Sequence, residues 1–222
     1  MKTNQNLKKV TVTALFCAIA FLMTFIFRFK VSFLTFDFKD AIISIVSLLY
    51  GPIYGVTCAG VVAFVEFLSV SDTGVYGLIM NFISSSVFAL SCGLVYKFKR
   101  SFYGAIFAVI TAVISVTAVM MIANIFITPF YMGVERAEVI GLIPVLLLPF
   151  NLCKSIINAA AVLIIYKPVT NPLKKLGMIN TTAPYKSFSK KSLILILVSV
   201  VILLLAILFI IFEMGGSFSL LK

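Results

Sequence analysis

The chain of 222 residues is 62% hydrophobic and contains 22 phenylalanines, while only 11% of its residues are charged. A water-soluble domain of this length needs far more polar surface, so the composition excludes a soluble globular protein. The long continuous apolar runs also exclude an outer-membrane barrel, whose strands are short and alternate between apolar and polar residues. The four cysteines are scattered and histidine is absent, so no metal site is expected. Because the sequence carries no phosphate-binding loop, Ser/His pair or carboxylate dyad, it offers no catalyst.

The apolar runs are long enough to cross a bilayer, which takes about 20 residues per helix. We expect spans at about residues 10–27, 40–50, 53–70, 78–96, 103–128, 139–166 and 193–212. The second is short, and Gly51-Pro52 joins it tightly to the third. The sequence therefore predicts an all-α polytopic membrane protein. It divides into a six-helix domain (1–168), a basic cytoplasmic linker (169–192) and an extra C-terminal transmembrane helix (193–222).

The charges separate to opposite ends of these spans. With the N-terminus inside, the cytoplasmic segments 1–9, 97–100 and 167–191 hold twelve of the eighteen Lys and Arg residues and no acid. The acids expected on or toward the outer side are Asp37, Asp40, Glu66, Asp72, Glu135, Glu138 and Glu213. The positive-inside rule then predicts a cytoplasmic N-terminus and an outer C-terminus. Attraction of the basic segments to anionic membrane lipid accounts for the net charge of +11 without a nucleic-acid partner.

The first helix carries Ala14 and Ala18 one turn apart. Small side chains at this spacing let another helix approach closely. From the residues alone, packing within the chain and contact with another protein are both open.

Residues 29–39, which interleave apolar and polar side chains, are expected to form an outer loop. This loop either folds over a pocket as a lid or packs on the rim of the bundle. Its candidate ligand contacts are Leu34, Thr35 and Phe36. Gly74, in an expected outer turn at residues 74–77, is a further candidate.

The most informative stretch is residues 149–158, because it places an ammonium and two amides inside an apolar run. Asn151, Lys154 and Asn158 lie at i, i+3 and i+7, hence on one helix face. A lysine at this depth costs roughly 2.5 to 3.5 kcal/mol on insertion scales and normally faces a cavity, a partner or a water path. Pro149 removes a backbone donor above them and is expected to bend the helix. We interpret this face as part of a binding pocket; the alternative is a packed lysine bonded to neighbouring carbonyls.

A second helix offers a polar side chain at a comparable depth. Asn124 lies in the outer half of the fifth predicted span, and Tyr131 follows it either as aromatic cover or as an ordinary interfacial anchor. Glu66, near the outer end of the third span, either lines the same cavity or reaches the interface.

Taken in chain order, these features resemble the substrate-binding S components of energy-coupling factor (ECF) vitamin transporters, and most closely the riboflavin-specific type. The resemblance covers roughly residues 8–168. It is carried by Ala14 and Ala18, residues 37–42, Gly51-Pro52 with Gly55, Asn124 with Thr128-Pro129 and Tyr131, and residues 149–154. The last helix departs from the usual six-helix plan of that family.

The resemblance implies a vitamin-capturing subunit of the bacterial cell membrane that is not an enzyme and carries no cofactor. In that family a transmembrane T subunit and two ATPases supply the driving force, so ATP is used only by the partners. It also implies that Ala14 and Ala18 contact the T subunit. The chemistry suits riboflavin, because Asn124, Asn151 and Lys154 can bond the imide edge of its ring system. Two other interpretations are an S component for another vitamin or a nucleobase-like precursor, with Glu66 dominant, and a structural membrane protein in which Lys154 makes an interhelical bond.

Overall fold

The computed structural model describes residues 5–70, 73–178, 190–212 and 217–218, and this part of the chain is mainly helical. Its helices are α1 (Gln5–Ile26), α2 (Lys39–Tyr50), α3 (Pro52–Ser69), α4 (Gly74–Phe98), α5 (Phe102–Met132), α6 (Arg136–Leu142), α7 (Leu148–Lys175) and α8 (Lys190–Phe212). A π-helical stretch, Ile143–Leu147, joins α6 to α7. Its strands are β1 (Phe29–Val31), β2 (Leu34–Phe36) and β3 (Ser217–Phe218).

Six helical segments of the described residues are long and apolar enough to cross a membrane. They are Gln5–Ile26, Pro52–Ser69, Gly74–Phe98, Phe102–Met132, Arg136–Lys175 and Leu193–Phe212. Together with the short α2 they match the seven predicted spans, so an all-α polytopic membrane protein with a six-helix core and an added C-terminal helix is confirmed.

Helix α2 is the centre of the bundle rather than a full span. Its 12 residues rise about 18 Å, well short of a hydrocarbon core about 30 Å thick. It packs against α1, α3, α4 and α7, and Ile43, Ile45 and Val46 are fully buried. Because protein surrounds it on all sides, α2 is a core helix that holds its neighbours in register.

The joint between α2 and α3 depends on the predicted Gly51-Pro52 pair. Gly51 has φ of 104°, a conformation that favours glycine, and Pro52 occupies the first turn of α3, where its missing N–H costs nothing. A Cβ at Gly55 would lie 2.6 Å from the Cβ of Ser47. The two helices therefore approach closely only because glycine stands there.

Several helices extend beyond the apolar segments that predicted them. The turn expected at residues 74–77 is wrong, because Gly74, with φ of 57°, already begins α4. Helix α5 continues through Pro129 to Met132, and α7 continues through two prolines to Lys175. Hydropathy marks the part of a helix that lies in lipid, whereas helical hydrogen bonding continues past it.

The segment at residues 29–39, expected to be an outer loop, is a β-hairpin followed by the start of α2. Strands β1 and β2 pair antiparallel with Val31 opposite Leu34, and Ser32 takes a positive φ of 53° at the turn. Strand β3 pairs with the other edge of β1, which gives the strand order β2-β1-β3. This small sheet covers one end of the bundle.

The helical irregularity predicted at Pro149 lies one turn earlier. The N–H of Leu148 bonds to the carbonyl of Ile143, an i−5 pattern typical of a π-helix. Pro149 itself stands in the first turn of α7. It has no N–H to offer the carbonyl of Val145, which is consistent with the loss of regular α-helical bonding just before it.

The two ends of the bundle carry different charges. The described basic segments 8–9, 97–100 and 167–175 lie where α1 begins and where α4 and α7 end. The hairpin and the described acidic residues lie at the opposite end. Asp72 and Glu213, and the basic residues Lys2 and Lys186, are outside the described residues, as is the linker from residue 179 to 189.

Candidate ligand-binding cavity

A cavity opens at the end of the bundle that carries the hairpin. The space free of protein atoms is about 1070 Å³, including the open solvent at its mouth. The hairpin forms one wall, and the adjoining ends of α3, α4, α5 and α7 form the others. Its polar lining comprises Thr24, Arg28, Thr35, Asp37, Lys39, Glu66, Thr73, Asn81, Ser84, Asn124, Tyr131, Asn151 and Lys154. Its larger apolar residues are Phe33, Leu34, Phe67, Leu78, Met80, Met120 and Phe150.

The two asparagines predicted at comparable depth converge on this cavity from α5 and α7. Asn124 donates to the carbonyl of Met120 at 2.7 Å and accepts from the hydroxyl of Thr128 at 2.8 Å. Asn151 donates to the carbonyl of Leu147 at 2.8 Å. These bonds fix both side chains along their own helices. Since a carboxamide has two N–H donors and an oxygen that accepts twice, each still has capacity for a ligand.

Lys154 lines the cavity but is not an isolated charge. Its Nζ donates to Oδ2 of Asp37 at 3.0 Å and to the carbonyl oxygen of Thr35 at 3.3 Å. The structure therefore combines the two interpretations given to this residue, because Lys154 faces the cavity and also bonds a neighbouring carbonyl. An ammonium has three donors, so one N–H remains for a ligand.

A second ion pair lies across the cavity floor from the first. Lys39 donates to both carboxylate oxygens of Glu66, at 2.8 and 2.6 Å, and lies 3.6 Å from Oδ2 of Asp37. Asp37 thus connects Lys154 to Lys39. Burial disfavours the charged form of Asp37, but the ammonium groups of Lys154 and Lys39 and their hydrogen bonds outweigh it and hold the pKa of Asp37 below its usual range. The carboxylate is therefore ionised at neutral pH.

Sequence reasoning placed Asp37 in the loop over the pocket, but it missed Lys39 as a cavity residue and missed the pairing of Asp37 with both lysines. Their signal was the run Asp37-Phe38-Lys39-Asp40 immediately before a short apolar helix. Charges placed next to a buried helix need partners, and here those partners lie far away in sequence. Glu66, which was expected either to line the cavity or to reach the interface, lines the cavity.

Aromatic rings cover part of the cavity mouth. The ring of Tyr131 lies 5.9 Å from that of Phe33 and 6.4 Å from that of Tyr76, between centroids. These contacts join the hairpin to α4 and α5. Of the two roles considered for Tyr131, aromatic cover agrees with this position.

Leu34 and Thr35 line the cavity, whereas three other candidates do not. Phe36 points to the back of the hairpin, where its ring lies 4.2 Å from that of Phe150. Gly74 lies outside the lining, although Thr73 and Gly77 belong to it. Asn158 is a structural bridge: it accepts from the N–H of Ala41 at 2.8 Å and donates to the carbonyl of Asp37 at 2.9 Å.

Ala14 and Ala18 are exposed on the outer side of α1. The face of α1 that packs into the bundle consists of Val12, Thr13, Phe16, Cys17, Ala20 and Thr24. Packing within the described part of the chain therefore does not cover the two alanines, and they remain available to another helix.

Comparison with known proteins gives concordant results. Residues 8–166 match the family model described as ECF transporter, substrate-specific component. The chain is 32% identical over 187 residues to the riboflavin transporter RibU of Staphylococcus aureus (strain TCH60), covering 79% of this chain and 97% of the relative. It is 28% identical over 169 residues to the riboflavin transporter FmnP of Bacillus subtilis (strain 168), covering 68% and 86%. A solved S component of a bacterial ECF transporter superposes with a TM-score of 0.66 at 31% identity, covering 77% of this chain and 99% of that one.

Proposed function

This chain belongs to the family of ECF transporter substrate-specific components, and on that premise we propose that it captures riboflavin and delivers it to an ECF energy-coupling module. It is a multi-pass membrane transport component and not an enzyme. The observation that carries the proposal is the convergence of Asn124, Asn151 and Lys154 on one cavity, in a chain similar to two riboflavin transporters.

The cavity chemistry supports a flavin ring system. Its imide edge presents one N–H donor between two carbonyl acceptors, and the two carboxamides together with the free N–H of Lys154 can satisfy this pattern. Met120 and Phe150, which also line the cavity, offer apolar surface to the ring faces. Glu66 and Asn81, which lie within hydrogen-bonding distance of each other at 3.3 Å, provide polar groups suited to the ribityl hydroxyls.

A vitamin with a cationic centre is the weaker candidate. Such a ligand would need a carboxylate free to pair with it, and Glu66 was the residue that favoured this alternative. Both oxygens of Glu66 already bond Lys39, so its charge is neutralised by the protein. A cationic ligand would have to displace Lys39 from Glu66 and leave that ammonium with only Asp37, which lies 3.6 Å away and already bonds Lys154.

We further propose that the partners are a membrane-embedded T subunit and two ATPases, since ATP chemistry has to come from other subunits. The exposed Ala14 and Ala18 permit close approach of a partner helix. The basic end of the bundle is assigned to the bacterial cytoplasm by the positive-inside rule, which places the N-terminus inside and the cavity outside.

Binding by the purified protein tests the proposed ligand. Flavin retained through purification gives a yellow preparation with visible absorption, and added riboflavin loses fluorescence when it enters an aromatic, water-poor cavity. The matched control is the Asn151→Ala variant under the same conditions. A colourless parent protein that also fails to quench riboflavin fluorescence would refute the proposal.

A further inference from the structure

Helix α8 and strand β3 lie outside the region that matches the family model, which ends at residue 166, yet both contact the hairpin that walls the cavity. We propose that this C-terminal segment is a clamp that positions the hairpin over the ligand and slows its opening. The clamp then determines how fast riboflavin enters and leaves. The identity of the ligand rests on the proposed function, whereas the mechanical effect on the hairpin does not.

The first contact is made by the backbone. Strand β3 pairs antiparallel with β1, with Phe29 opposite Phe218 and Lys30 opposite Ser217. This pairing makes β1 the central strand of the sheet. A two-stranded hairpin is marginally stable by itself, and a third strand adds backbone hydrogen bonds that must break before the hairpin can move away.

The second contact is made by side chains on the back of the hairpin. Ile210 of α8 is 2% exposed and belongs to an apolar cluster with Val31, Phe36, Phe150 and Ile157. Ile207, one turn earlier, is partly buried against the same cluster. This cluster attaches the outer end of α8 to both strands of the hairpin and to α7.

The rest of α8 is mostly exposed, which identifies Ile210 as a specific contact. Among residues 193–212 only Ser199 and Ile210 are buried. Leu204 and Leu208, on other faces, are 54% and 48% exposed and are placed to face lipid. Ile210 therefore gives the end of α8 a buried contact with the cluster behind the hairpin, in addition to the packing of α8 along α7.

The contact leads directly to the ligand site. Phe36, which shares the apolar cluster with Ile210, stands between Thr35 and Asp37, the two residues that accept hydrogen bonds from Lys154. Phe150, which packs on Phe36 at 4.2 Å, itself lines the cavity. Ile210 is therefore a positioning residue that acts through Phe36, and it does not touch the ligand.

Two variants remove the two contacts separately. Ile210→Ala removes the apolar contact, and truncation after Phe212 removes β3 while keeping α8. Leu208→Ala is the matched control, because it makes a comparable truncation on an exposed face. Ile210→Val is the conservative variant that keeps most of the apolar contact.

Stopped-flow measurement of riboflavin fluorescence gives the rates. We expect Ile210→Ala and the truncation each to speed dissociation by about tenfold and to speed association by a smaller factor, because a looser wall opens more often. Leu208→Ala and Ile210→Val should keep rates near those of the parent. A mainly structural role would instead lower thermal stability and leave the two rates of the folded protein unchanged.

Hydrogen exchange of the ligand-free protein tests the clamp without riboflavin. The expected result is faster exchange at residues 29–38 in both clamp variants, with exchange in α3 and α4 unchanged. Unchanged exchange in the hairpin, or a uniform increase over all helices, would overturn the proposal. If the parent fails to bind riboflavin, the proposed function is refuted, and the exchange data still decide whether the clamp exists.

Discussion

Replacing Lys154 with methionine tests how the cavity charges support one another. Methionine keeps most of the apolar stem of lysine and removes the ammonium. Asp37, which is 5% exposed, then loses its partner at 3.0 Å and keeps Lys39 at 3.6 Å. We expect this variant to lower the stability of the ligand-free protein, a result that an isolated and merely costly lysine would not give.

The expected loss of stability follows from the Asp37 carboxylate, which stays buried after its partner is removed. Removing one partner of a buried ion pair costs about 3 to 5 kcal/mol, mostly because the remaining charge is buried without compensation. Since Lys39 still neutralises part of the charge on Asp37, we expect a cost near the lower end, about 3 kcal/mol. Replacing Asp37 with asparagine in the same chain removes that uncompensated charge. The double variant Lys154→Met/Asp37→Asn should therefore be more stable than Lys154→Met alone.

Thermal unfolding in detergent without riboflavin measures the stability of the parent, of the two single variants Lys154→Met and Asp37→Asn, and of the double variant. A coupling of at least about 1 kcal/mol between the two positions is expected for groups in direct contact. Riboflavin titration of the same proteins should give weaker binding in every variant without Lys154. If Lys154→Met unfolds at the temperature of the parent, or if the two substitutions are additive, the ion-pair argument is wrong.

Three further predictions address the ligand, the partner and the hairpin. Asn151→Ala should weaken riboflavin affinity by about 1 to 3 kcal/mol, because a bound polar group loses its partner; an affinity equal to that of the parent would remove Asn151 from the site. Ala14→Leu or Ala18→Leu should abolish riboflavin uptake by cells while the purified variant binds normally, whereas loss of binding as well would indicate packing within the chain. Riboflavin should slow hydrogen exchange at residues 29–38 and 124–131 and leave residues 170–175 unchanged; equal exchange with and without ligand would mean that the hairpin is a fixed rim.

The helices and the family could be predicted from the sequence, because both depend on patterns within single segments of the chain. Apolar runs of sufficient length mark spans directly, and counting residues from the basic ends gives depth. That counting placed Asn124 and Asn151 at comparable depth, and the structure brings both to one cavity. The family match over residues 8–166 confirms the resemblance carried by those helices.

The parts that could not be predicted depend on contacts between distant residues. Strand β3 has two residues and pairs with β1 across most of the chain length, so no local pattern identifies it. The partners of Lys154 lie more than a hundred positions earlier, at Thr35 and Asp37. Asn158 shares the helix face of Asn151 and Lys154, but its bonds to Ala41 and Asp37 use it to fasten α2. A shared helix face shows that the three side chains point in a similar direction. Only the packing of the other helices determines whether each side chain meets the cavity or the protein core.

The charge arrangement explains how a membrane protein can keep a lysine in a cavity. The bond to Asp37 orients the ammonium of Lys154, and the bond to the carbonyl of Thr35 connects the same ammonium to the hairpin. Because the third N–H is left for a ligand, binding can add a hydrogen bond without breaking the ion pair. Ligand binding therefore does not leave a buried charge without its partner. In this geometry the hairpin and a ligand use different N–H donors of Lys154, so closure of the hairpin and occupation of the cavity are compatible.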